Sequence, residues 1–203
     1  MKNSIKITLT VISLAGILVT IGWIFWKTEL VYSFPTPLPV HYKVISNGSQ
    51  INIDESFSFI ENKPTLIHFF NPECPCSRFN MPHVKKLIKQ FESKINFAMV
   101  VINNKEIYTE SGIQKKYGIS IPVSFDQSIA EKCGVYSTPQ AVLIDENNQL
   151  YFRGNYNRNR YCTNKESEYV KMAIDSLLSN VSKPEFNILA IKAYGCSLPT
   201  CSK

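Results

Sequence analysis

A chain of 203 residues with 22 Lys and Arg against 16 Asp and Glu carries a formal charge of +6. With its N-terminal apolar stretch set aside, about 170 residues remain, enough for one globular domain with a sizeable core and without need of a second. The basic residues are scattered among Asn and Ser with no stripe or run of like charge, which reads as a solvated surface and speaks against a nucleic-acid binder.

Lys2 and Lys6 precede residues 7–26, twenty positions without a charge that are rich in Ile, Leu and Val and end in Trp23 and Trp26. A segment of that length spans a bilayer, and tryptophans suit its interface. The two lysines outweigh Lys27, which Glu29 offsets, so the positive-inside rule places residues 1–6 in the cytoplasm and the body outside. The competing reading is a cleaved signal peptide. Its apolar core would be longer than usual, and no small-x-small site precedes the bulky end. The expectation is therefore an uncleaved single-pass anchor in a bacterial-type inner membrane, with the C-terminal domain in the periplasm or outside.

Residues 27–43 contain Pro35, Pro37 and Pro39 at every second position, a pattern that forbids a helix and predicts an extended spacer. A globular domain over 44–181 and a Cys-containing tail over 182–203 follow. Periodicity predicts strands near 42–45 and 50–53 and a buried strand over 65–70. A helix is predicted over about 75–92, with Phe79, Val84, Leu87, Ile88 and Phe91 at near-helical spacing. A strand at 96–102, a helix at 109–117, a short strand at 123–125 and a helix at 128–133 come next. Strands at 141–144 and 149–152 flank the Glu146-Asn147-Asn148 turn. The last helix is predicted to open at Thr163, whose hydroxyl with Glu166 makes a capping box, and to run to about 179. Strands alternating with helices, then a hairpin and a helix, define an α/β sandwich. No internal repeat or low-complexity tract is seen.

The stretch Phe69-Phe70-Asn71-Pro72-Glu73-Cys74-Pro75-Cys76-Ser77-Arg78 places two cysteines around a proline where strand gives way to helix. Unpaired backbone N–H groups and the positive end of the helix dipole favour a thiolate there. The thiolate is the nucleophile of disulfide exchange.

Three features together resemble the thioredoxin-like superfamily, specifically its membrane-anchored thiol–disulfide oxidoreductases of the TlpA/ResA and AhpC/TSA-like kind, over about residues 50–178. They are the strand 65–70 running into Cys74, Pro82 eight residues after Cys74, and Tyr117-Gly118-Ile119 followed by Ser137-Thr138-Pro139-Gln140-Ala141-Val142-Leu143-Ile144-Asp145. The resemblance implies a thioredoxin-like fold, a central mixed sheet with helices on both faces, here preceded by one transmembrane helix. It implies a cis peptide between Thr138 and Pro139 facing Cys74, with both residues lining the groove for a substrate chain, and an inserted strand and helix between 96 and 126. It implies Cys74 as nucleophile, and His68, six residues earlier, at the position where thioredoxin has a buried acid. Imidazole titrates near neutral pH, so His68 is a candidate proton-transfer group; a buried core histidine is the equal alternative.

The chain departs from the family where the second cysteine of C-x-x-C would stand, because Ser77 occupies that place and the extra thiol is Cys76. A Cys74–Cys76 disulfide would close a small, strained ring that is easy to reduce. Otherwise Cys74 works through mixed disulfides with an outside thiol, or a distant cysteine such as Cys162 resolves it. Cys76 is favoured as the local choice. An inert or metal-binding pair is the bland alternative, but Cys-x-Cys with no nearby histidine lacks zinc-site spacing. Of the rest, Cys133 reads as a buried thiol. Cys162, Cys196 and Cys201 are expected to form a structural disulfide in an oxidising space, either Cys196–Cys201 or Cys162 with one of them. His41 falls in the spacer, and His83 is expected on the helix surface.

Three functions follow: a membrane-anchored extracytoplasmic thiol–disulfide oxidoreductase, a peroxiredoxin-like peroxidase, and a non-enzymatic metal- or partner-binding module. Asn71, where a peroxiredoxin wants threonine, counts against the second, and cysteine spacing counts against the third. The first implies protein or small-molecule thiols and disulfides as partners, leaves room for an upstream membrane redox partner, and requires no cofactor and no nucleic acid.

Overall fold

The computed structural model describes residues 2–53, 57, 59–60, 62–103, 107–179, 181 and 184–198. It divides into two compact units, Met1–Phe34 and Pro35–Lys203. The first is helix α1 (Lys2–Thr28) with a 3-10 turn, Leu30–Ser33. Its apolar side chains stand exposed all round, Leu18 and Val19 among them, as expected of a helix that has no polar face to turn to water. The hydroxyls of Thr8, Thr10, Thr20 and Thr28 each donate to the carbonyl four residues back, so they need no water. The stretch Asn3–Ser33, mean hydropathy 2.2, is long and apolar enough to cross a membrane, a condition that a signal sequence also meets.

The second unit follows the alternation expected of an α/β sandwich: β1 (Thr65–Phe70), α2 (Pro75–Phe91), β2 (Asn96–Val101), α3 (Glu110–Tyr117), β3 (Val123–Ser124), α4 (Ser128–Lys132), β4 (Ser137–Thr138), β5 (Gln140–Ile144), β6 (Leu150–Gly154), α5 (Tyr169–Leu178), α6 (Ile188–Ile191) and β7 (Cys196–Ser197). The main sheet runs β3-β2-β1-β5-β6, parallel from β3 to β1 and antiparallel through β5 and β6. Central β1 is buried along its whole length, which explains its continuous apolar run. Alternation sends Leu66, His68 and Phe70 to one face and Ile67 and Phe69 to the other. The first face packs on Val84 and Leu87 of α2 and Val170 and Ile174 of α5. The second packs on Ile51, Ile53, Ile129 and Val135.

Four local readings need correction. Residues 42–45 and 50–53 are not strands. Ile51 and Ile53 are buried while Asn52 is exposed, a strand-like alternation, but only an isolated Gln50–Gln149 bridge pairs there. Thr163 does not open the last helix, because its hydroxyl accepts from Asn159 Nδ2 at 3.3 Å; a 3-10 turn, Lys165–Ser167, intervenes and α5 starts at Tyr169. Phe79 leaves the apolar stripe of α2 and stays 44% exposed, set against Tyr161. His83 is not on the surface but buried, since it shares the inner face of α2 with Val84 and Leu87.

The segments on either side of the α/β core meet. Pro35 bridges Tyr194, Thr36 N donates to Ala193 O at 2.9 Å, and the hydroxyls of Thr36 and Ser137 share a 2.8 Å hydrogen bond. β7 forms a small antiparallel sheet with β4.

Candidate active site

Helix α2 starts abruptly at Pro75, whose fixed φ suits the first helical position and whose missing N–H costs nothing there. The preceding turn is held by Asn71. Its Oδ1 accepts from Glu73 N at 2.9 Å and Asn103 Nδ2 at 3.1 Å, its N–H donates to Ser77 Oγ at 3.3 Å, and its carbonyl accepts from Cys74 N at 3.0 Å. Cys74 is thereby the N-cap of α2 and makes no side-chain capping bond. Its sulfur sits at the positive end of the helix.

Facing it is the cis peptide Thr138–Pro139, with the Thr138 carbonyl oxygen 3.5 Å from Cys74 Sγ. The register of β4 with β7 sets Thr138 opposite Cys196. Cys74 and Cys196, 122 residues apart in sequence, form a disulfide with Cα atoms 6.1 Å apart. The sequence-expected pairs differ: Cys74 is joined to Cys196 and not to Cys76, and Cys196 to neither Cys162 nor Cys201. Cys201 lies outside the described residues. The reason for the first difference is angular, because residues two apart at a helix start do not face each other. Cys76 is buried within α2.

Cys133 and Cys162 are thiols of another kind. Burial pushes Cys133 up to about 12, against the pull of Arg153 and Lys132. Burial, then the charge of Glu168, pushes Cys162 up to about 12 as well, and its sulfur donates to Asn80 Oδ1 at 2.9 Å. Neither gives useful thiolate at neutral pH.

Beneath the site, on the first face of β1, His68 Nδ1 lies 2.8 Å from the Tyr156 hydroxyl. The His83 ring stands edge-on to Tyr156, 5.9 Å away. Burial drives His68 down to about 3 and lowers His83, with Glu168 opposing. The imidazole read from the sequence as titrating near neutral pH is thus neutral there. His68 Nε2, Asn80 Nδ2 and His83 Nε2 are buried without a hydrogen-bond partner among the described residues.

A mixed sheet of this order, with an N-cap cysteine set against a cis-proline, defines a thioredoxin-like protein. The family described as Domain of unknown function (DUF6436) matches residues 44–201, and the chain belongs to it. Thiol-disulfide oxidoreductase ResA of Halalkalibacterium halodurans is 26% identical over 106 residues, 51% of this chain and 57% of the relative, so the chain spans little more than half of that protein's length. A hypothetical protein from Sinorhizobium meliloti 1021 superposes with a TM-score of 0.60 at 18% identity, over 77% of this chain and 95% of its own. An uncharacterized conserved protein from Geobacillus kaustophilus gives 0.61 at 17% identity, over 81% of this chain and 96% of its own. These two likenesses concern the fold.

Proposed function

We propose that this protein is a thiol–disulfide oxidoreductase, held by α1 in a bacterial-type inner membrane with its second unit outside the cytoplasm, and that Cys74 is its exchanging sulfur. The observation that carries the reading is the disulfide itself: Cys74, at a helix N-terminus and against the Thr138–Pro139 turn, is already bonded to a second cysteine. The activity named for the ResA relative supports it, and Lys2 and Lys6 in the first turns of α1, before its uncharged stretch, support the orientation. In the reduced protein the Cys74 thiolate attacks one sulfur of a protein or small-molecule disulfide. A mixed disulfide forms and one substrate thiol leaves. Thr138 and Pro139 line the edge on which the substrate chain lies. His68 stays neutral and holds Tyr156 in the layer below. Against a peroxidase, Asn71 stands where a threonine would be wanted, and its side chain is committed to Glu73 and Asn103.

The test is reduction of an insulin-like disulfide by the full-length protein in detergent, supplied with a thiol reductant. Cys74→Ser is expected to cut turnover about 100-fold or more, since it removes the covalent step. Turnover unchanged in that variant, or preferential consumption of peroxide by the wild type, contradicts the reading.

A further inference from the structure

We propose that Cys196 is the resolving cysteine of Cys74, and that β7 delivers it by occupying the backbone edge of Thr138 that a substrate chain would otherwise pair with. The proposal deepens the reading of Cys74 as the exchanging sulfur and rests on it.

Ser77 leaves the first turn of α2 without the usual second thiol. Cys76 faces away from Cys74, while Cys133 and Cys162 are held protonated by burial. The sulfur that the fold brings to Cys74 is on the far segment, and that segment follows a built path. Asn155 donates from Nδ2 to Leu189 O at 2.8 Å and Lys192 O at 2.6 Å, and from its amide to Ala190 O at 2.7 Å. Gly154 makes room, since a Cβ there would lie 2.1 Å from Ala190 O. Ala190 and Ala193 are fully buried, and Ala193 is bonded through both its backbone groups, to Thr36 N and to the Tyr136 hydroxyl. Gly195 then crosses Thr138 at φ 144, where a Cβ would come within 2.3 Å of the Thr138 carbonyl oxygen. Ser137 Oγ donates to Cys196 O at 3.2 Å. Register, not chance approach, puts Cys196 opposite Thr138.

The strand itself is slight, since β7 is two residues long and half-exposed to exposed, although Leu198 after it is buried against the second face of the sheet. A strand so short gives up few hydrogen bonds when it leaves. With the disulfide open, an incoming chain can add to the Thr138 edge in its place.

The exchange balances without a further reagent. Cys74 thiolate attacks the substrate disulfide, forming Cys74–S–S–R and releasing the first substrate thiol. Cys196 thiolate then attacks Cys74 Sγ, the S–S bond to R breaks, and the second substrate thiol leaves. The substrate disulfide gains two electrons and the two protons of the protein dithiol, which ends as Cys74–Cys196. The product is also closed, since β7 is now tied across the edge.

The experiment is a single turnover of the fully reduced, full-length protein in detergent with a disulfide-bonded peptide, quenched with acid and read by intact mass. Cys196→Ser should attack at the wild-type rate but retain the Cys74–peptide adduct, its decay slowed about 100-fold by loss of a positioned thiol. Gly195→Ala keeps both thiols and crowds β7 off Thr138; its adduct should decay at least about threefold slower. Adduct decay at the wild-type rate in Cys196→Ser, or adducts that persist only in Cys76→Ser or Cys162→Ser, overturns the resolving role. Wild-type decay in Gly195→Ala overturns delivery by β7. Failure of any Cys74 adduct to form, wild type included, overturns the reading of Cys74 and this proposal with it.

Discussion

Two groups of cysteines in one small domain are treated in opposite ways by the fold. At the start of α2, Cys74 is the N-cap, buried at the positive end of the helix, and meets Cys196 across the edge of β4. Inside, Cys133 is enclosed by Ile129, Val135 and their neighbours on the second face of the sheet, and Cys162 is tied to Asn80 on the first. The side chains are identical. What differs is how the surroundings charge for an anion: a helix terminus welcomes it and an apolar pocket refuses it.

The sharpest way to break that contrast is to alkylate the reduced protein at neutral pH and follow each cysteine by mass. Cys133, pushed up to about 12 by burial, holds little thiolate at neutral pH, whereas Cys74 stands at a helix N-terminus, which favours the anion. Cys74 should react at least about tenfold faster, the greater nucleophilicity of a high-pKa thiolate offsetting only part of the difference in population. Equal rates at Cys74 and Cys133 would remove the distinction between the two regions.

A smaller effect sharpens the comparison from the interior side. Burial holds His68 at about 3 against an ordinary 6.5. An unfolded chain takes up a proton there below about pH 6.5, while the folded one does not until about pH 3. The folded state is therefore favoured in full above that window, and this group withdraws about 1.4 kcal/mol of stability per pH unit as pH falls through it. His83, lowered by burial although Glu168 opposes, acts with the same sign. His68→Gln, which keeps a polar partner for the Tyr156 hydroxyl, should flatten the fall of the urea midpoint between about pH 6 and 4. An unchanged slope would show that His68 already exchanges protons with solvent.

The sequence carried the framework because the framework is local. An apolar run that must be buried on both faces became β1, and the stripe from Val84 to Phe91 with Pro75 at its head became α2. The cis bond before Pro139 was legible only through the family pattern in Ser137–Ile144. The missing half of the site is non-local. Nothing near Cys196 announces Cys74, and the pairing depends on a two-residue register between β4 and β7 and on anchors as scattered as Thr36, Asn155 and Gly195. Ser77 was the available clue, since a site without its second thiol must find one elsewhere. The same limit explains His83, whose burial depends on Tyr156 arriving from a loop far along the chain, and the 50–53 segment, whose alternation reports burial against the sheet and not pairing within it.

The central claim is that Cys74 exchanges electrons across to the far segment and not along its own helix. Air-oxidised full-length protein, alkylated under denaturing conditions without reductant and digested between the cysteines, tests this directly. The account predicts a peptide pair cross-linked through Cys74 and Cys196, with Cys76, Cys133 and Cys162 alkylated. A cross-link between Cys74 and Cys76, with Cys196 alkylated, would contradict it.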